Sequence, residues 1–120
     1  MPETEVVLFA DADGTCPFLR WLDGLPPKVQ DKCIVRIERL AAVGHELRRP
    51  EADYLRDGIY ELRASYQGDH YRILYFFHEK IAVISHGLIK EKAVPPREIE
   101  LAIKRKAMNA DDPGIHTYRE

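Results

Sequence analysis

Arg63 and Arg72 interrupt the hydrophobic alternation of residues 60–77, "YELRASYQGDHYRILYFF", a stretch that otherwise reads as a β-hairpin. A strand that only packs against a core has no use for a guanidinium. Three more cations, Lys90, Lys92 and Arg97, follow within eight residues in "HGLIKEKAVPPRE". Together they suit a phosphodiester backbone, since arginine offers a bidentate fork and lysine a mobile point charge. The cluster carries no paired carboxylates, no Ser-His-Asp set and no glycine-rich phosphate loop.

The pairing of the hairpin decides which way the arginines point. A two-residue loop at Gly68-Asp69 would set Gln67 opposite His70 and Tyr66 opposite Tyr71. Tyr60, Leu62, Ala64, Tyr66, Tyr71, Ile73, Tyr75 and Phe77 then share one face, which is the core side. Glu61, Arg63, Ser65, Arg72, Leu74 and Phe76 take the other, with Ser65 facing Arg72 and Arg63 facing Leu74. The pattern leaves two readings open. One is a surface network of Glu61, Arg63 and Arg72 that contributes little. The other is an anion-binding face. The lysines leaving the third strand beside the arginines favour the second, as a concave basic surface of Arg63, Arg72, Lys90 and Lys92.

Charge distribution agrees. Net charge is −2, but residues 1–59 carry 8 basic and 11 acidic side chains, whereas residues 60–106 carry 9 and 6. A local basic patch binds phosphate despite a weakly acidic whole. The length of 120 residues implies one domain with a single core, and 45% hydrophobic with 32% charged residues excludes a disordered chain. No apolar run approaches a membrane span, and "MPETEVVLFA" lacks the basic start and apolar stretch of a secretory signal, so a cytoplasmic location is expected. Cys16 and Cys33 and the five histidines show no metal-ligand spacing, so reduced packing thiols and no metal or cofactor are expected.

The elements that must position these cations follow from periodicity. Residues 5–10 form a short strand and 16–24 a short helix ended by Gly24. Residues 28–43 form an amphipathic helix with Val29, Cys33, Ile34, Ile37, Leu40 and Ala41 inward, closed by Gly44. "HELRRPEADYLRDG" reads as a polar loop. Strands at 59–67, 70–77 and 80–86 then form an antiparallel meander, and 96–108 form a last helix. The expected fold is α+β: a short N-terminal strand, two helices, a three-stranded meander completing the sheet, and a C-terminal helix, with the helices on one sheet face. Residues 1–108 make the domain and 109–120 a polar tail, more simply a frayed end than one in which His116 or Tyr118 returns to the site.

The phrases "FLRWLDGLPPKVQDK", "RIERLAAVGHELRRPEADYLRDGIYELR", "YRILYFF" and "ISHGLIKEKAVPPREIELAIKR" resemble the phage-derived HigB-like branch of the RelE/ParE toxin superfamily, over about Val6 to Met108. The resemblance implies a compact RelE-like α+β domain and the toxin of a type II toxin–antitoxin pair. Such a toxin is an mRNA interferase, an endoribonuclease that cuts mRNA on the ribosome and inhibits translation. Its partner would be a helix-turn-helix antitoxin in a hetero-oligomer. Arg72 falls where relatives place an arginine on the scissile phosphate, Arg63 is a second match, and Lys90 lies where relatives carry another catalytic cation. Glu61 departs from the pattern, standing where RelE has a lysine proposed for proton transfer.

The implied chemistry is attack of the ribose 2′-OH on the adjacent phosphate without metal. Arg72 and Arg63 would stabilise phosphoryl charge, and Lys90 or Lys92 would move the protons, with His86 as an alternative base. Arg97 would add RNA contact. Two alternatives follow: a ParE-like inhibitor of DNA gyrase, and a degenerate, non-toxic antitoxin-binding or regulatory partner.

Overall fold

The computed structural model describes residues 3–89 and 92–119. Strand β1 (Val6–Leu8) leads to helix α1 (Pro17–Asp23) and helix α2 (Pro27–Val43), followed by a 3-10 turn at Gly44–Glu46. Strands β2 (Ala52–Arg56), β3 (Ile59–Tyr66), β4 (Asp69–His78) and β5 (Ile81–Ile89) precede helix α3 (Pro96–Asp111). Among the described residues, these strands form one five-stranded sheet in the order β1-β5-β4-β3-β2. β1 runs parallel to β5 and the other pairs are antiparallel. The α+β class follows, with no described helix long and apolar enough to cross a membrane.

Both longer helices begin where proline costs least, with Pro27 and Pro96 in the first turn, where the missing N–H has no intrahelical partner anyway. Gly44 ends α2 at a φ of 67°, and a Cβ there would collide with Thr4. Val29, Cys33 and Leu40 of α2 are buried as the spacing predicts, but Ile34 is 43% exposed and lies outside the contact stripe. Helix α1 presses on β5, where a Cβ on Gly87 would strike the Trp21 ring. That glycine is a requirement of close approach rather than of backbone freedom.

The helices do not share one sheet face, as the periodicity suggested. Helices α1 and α2 cover Leu62, Ala64, Tyr71, Ile73, Tyr75, Ala82 and Ile84. Helix α3 covers the opposite face, burying Ile59, Leu74, Phe76 and Val83 beneath Ile99 and Ala102. The reason is visible in β4, where Ile73, Leu74, Tyr75 and Phe76 are consecutive, apolar and each no more than 1% exposed. An unbroken apolar run of this kind marks a strand buried on both sides.

Two further expectations change. The polar stretch before β3 contains the edge strand β2, whose alternation is weak because one side is half exposed and carries Asp53. It pairs with β3 through the Asp57-Gly58 turn, with φ values of 52° and 83°. The β3–β4 turn is Gln67-Gly68, with φ values of 51° and 86°, rather than Gly68-Asp69. Positive φ at both central residues gives the primed turn that matches strand twist, and here it costs one non-glycine residue in the left-handed region. The register therefore moves by two residues, which preserves the faces but sets Arg63 directly opposite Arg72.

The C-terminal segment is not frayed. The Ala10 amide donates to the His116 carbonyl (3.1 Å) and the Tyr118 amide to the Leu8 carbonyl (2.8 Å), so the tail closes the outer edge of β1. His116 stacks on Phe9 at 5.2 Å between ring centres, and neither it nor Tyr118 lines the pocket that holds the arginines.

Candidate functional site

Arg63 and Arg72 stand side by side on adjacent strands, on the α3 face but beyond the area that α3 covers. Two like charges so placed would repel. Glu61, two residues before Arg63 on the same strand, prevents this: its Oε2 accepts from Arg63 Nε at 2.8 Å and its Oε1 pairs with Arg72 Nε at 3.1 Å. Glu61 is only 3% exposed, so it is the floor of the cluster rather than a surface counter-ion. Breaking such a pair would leave a buried charge unpaired, which costs on the order of 3–5 kcal/mol.

Strand β2 extends the network. Asp53 faces Glu61 and accepts from Arg49 (2.9 Å) and from Arg63 Nη2 (3.4 Å). The Arg49 hydrogen bond holds the Asp53 carboxyl below its ordinary value, against the opposing effect of burial. The main chain of Arg63 is fixed as well. Its amide donates to the Glu51 carbonyl at 2.8 Å, and its own carbonyl accepts from Arg36 Nε of α2 at 2.6 Å. Glu51 in turn binds Arg39 at 2.8 Å, which lowers the Glu51 carboxyl's pKa through that hydrogen bond.

Above this floor lies a pocket of about 370 Å³. Arg63, Arg72, Arg56 and Lys92 bring cations to it, and Leu55, Val94 and Ile99 give it an apolar wall. Guanidinium groups beside an apolar wall can hold a phosphate and shelter the group it carries from water.

The other expected site residues are placed as follows. Lys92 is exposed and lines the pocket with the arginines. Lys90 lies outside the described residues. Arg97 is exposed on the first turn of α3, pairs with Glu98 at 3.5 Å and does not line the pocket. His86 shares the face of Arg72 but is 7% exposed and also does not line the pocket.

A β-bulge explains His86. Leu74 pairs with His86 and Tyr75 with Ile84, so Ser85 is the extra residue on β5. Ser85 and His86 then face α3. Arg105 Nη1 donates to Ser85 Oγ at 3.4 Å, Ser85 Oγ lies 2.8 Å from His86 Nδ1, and His86 Nε2 lies 3.0 Å from Glu98 Oε1. Arginine only donates and carboxylate only accepts, so a neutral imidazole here carries its proton on Nε2. Burial, followed by the Arg105 charge, holds the His86 pKa below its ordinary value despite Glu98.

Sequence reasoning missed Asp53 and Leu55, because β2 read as loop, and it placed Glu61 at the surface. The available signal was the Asp57-Gly58 turn, which requires a strand on each side to be a hairpin turn.

Residues 20–107 match the family of phage-derived Gp49-like proteins (DUF891), a RelE-toxin-like family. The chain belongs to this family, and the match spans α2, the β2–β5 meander and most of α3, the elements that build the arginine pocket. Comparison with curated proteins gives no match.

Proposed function

We propose that the protein is the cytoplasmic toxin of a type II toxin–antitoxin system of the HigB-like kind, an endoribonuclease that cuts mRNA on the ribosome. The observation that carries this reading is the direct opposition of Arg63 and Arg72 above a buried carboxylate, at the mouth of a pocket that Lys92 also lines. Membership of a toxin-like family supports it. A helix-turn-helix antitoxin is the expected partner.

In this mechanism the 2′-OH attacks the adjacent phosphorus, the P–O5′ bond breaks, and the products are a 2′,3′-cyclic phosphate and a 5′-hydroxyl. Arg72 and Arg63 donate to the non-bridging oxygens, where negative charge grows in the transition state. The 2′-OH proton passes to water in the open pocket, and Lys92, the described cation with the mobility to do so, delivers a proton to the leaving 5′-oxygen. His86 has both ring nitrogens engaged under α3 and takes no step.

The test is induction of the protein without its antitoxin, followed by mapping of RNA ends. Cleavage within codons, lost in Arg72→Ala, supports the nuclease. DNA damage with intact mRNA would assign gyrase inhibition instead. No growth arrest would assign the non-toxic regulatory reading.

A further inference from the structure

A carboxylate beneath two arginines could act in either of two ways on a phosphodiester site. It could occupy the anion position and compete with phosphate, or it could hold the guanidinium groups in the orientation that receives phosphate. The geometry separates these roles. Glu61 lies nearest the Nε of each arginine, one oxygen apiece: Oε2 accepts from Arg63 Nε–H at 2.8 Å, and Oε1 forms an ion pair with Arg72 Nε at 3.1 Å. A competitor would instead meet the terminal amines, where a planar fork accepts an oxyanion end-on. Glu61 also lies lowest: its side chain is 4% exposed, against 14% for Arg72 and 32% for Arg63.

We infer that Glu61 is a positioning residue, which anchors Nε of both arginines to the sheet and turns their terminal amines toward the pocket. This rests on the reading of the pocket as a phosphodiester site. The two arginines are then unequal. Asp53 takes Arg63 Nη2, while Arg72 has no ion-pair partner other than Glu61 among the described residues. Among the described residues nothing takes either terminal amine of Arg72 or Nη1 of Arg63, which leaves these to a phosphate. Without the carboxylate the directly opposed guanidiniums repel and splay apart, and the fork loses its direction. A lysine at position 72 could not replace it, because an ammonium has no separate edge for floor and ligand.

The experiment uses the full chain, a single-stranded RNA with 2′-O-methyl riboses that cannot be cut, and inorganic pyrophosphate as a second anion. Affinity is measured for wild type, Glu61→Gln, Arg72→Lys and the double variant, with thermal melts to show that each is folded. Arginine Nε–H signals are followed by NMR without ligand. Glu61→Gln removes the charge that holds both guanidiniums and should weaken RNA and pyrophosphate binding about tenfold, the scale of one charge-assisted interaction. The double variant should bind no worse than Arg72→Lys alone, because both changes remove one unit. In wild type the Arg63 Nε–H proton should exchange slowly, and it should exchange faster in Glu61→Gln.

Tighter anion binding by Glu61→Gln would make Glu61 a competitor and overturn the proposal. Unchanged binding with unchanged Nε–H signals would overturn it as well. The signals are read without RNA, so the two readings fail separately. Wild type that leaves mRNA on the ribosome intact removes the nuclease, whereas a freely exchanging wild-type Arg63 Nε–H proton removes the positioning role.

Discussion

Glu61 with its two arginines, and Glu98 with His86, Ser85 and Arg105, lie on the same face of one sheet and use the same chemistry, yet they meet solvent in opposite ways. In the first the carboxylate is the buried member, and the cations open onto a pocket. In the second Ser85 and His86 are the buried members, and the outer groups come from α3, which lies over them. The difference arises from where α3 ends. It starts at Pro96 and runs over Leu74 and Phe76, leaving the Arg72 end of β4 uncovered. Polar residues under the helix fasten it, and polar residues beyond it remain available to a ligand.

Four measurements would sharpen or break that contrast. Arg72→Ala should have the largest effect, reducing cleavage by about 10²–10³-fold as for loss of a main oxyanion donor, while still melting cooperatively. A retained rate would place the chemistry elsewhere. His86→Ala should do the reverse. It removes the imidazole partner of Ser85 Oγ and Glu98 Oε1 and should cost about 1–3 kcal/mol in urea unfolding, with cleavage changed only a few-fold.

The two ends should also answer differently to pH. The His86 pKa is lowered in the folded state, so below its ordinary value of 6.5 the unfolded chain binds the extra proton first. Stability should therefore be full above 6.5 and fall as pH drops through the region below it, and His86→Gln should flatten that slope. Asp53, lowered from 3.8, contributes stability above that value and loses it only under more acid conditions. The arginine end should thus hold over the range in which the histidine end weakens. Lys92→Ala should have the smallest effect on RNA affinity, while loss of its proton should lower the cleavage rate about 10²-fold. An exposed pocket-rim cation should shift RNA affinity by about 1 kcal/mol or less and reduce the salt slope by roughly one.

Much of this arrangement was legible in the residues. The hairpin, the amphipathic α2 and the proline-started α3 follow from local pattern, and the face shared by Arg63 and Arg72 survived a wrong register because the displacement was even. Three features depend on contacts that local pattern does not encode. The β2 strand has too little apolar alternation to stand out, and only its partner β3 defines it. The burial of Glu61 needs Asp53, Arg63 and Arg72 brought together from three strands. The withdrawal of His86 from the pocket needs a bulge at Ser85, which no residue type announces.

The parallel pairing of Val6–Leu8 with Ala82–Ile84 has a kinetic consequence. Strands β2 to β5 are joined by tight turns and can assemble locally, whereas β1 must wait for β5, and residues 116–118 must then find β1. Loop closure of that length slows the last steps more than it weakens the finished sheet. In native-state hydrogen exchange the amides of β3 and β4 should therefore be the most protected, and those of Phe9, Ala10 and Tyr118 should open first, as a separable flap on an intact meander.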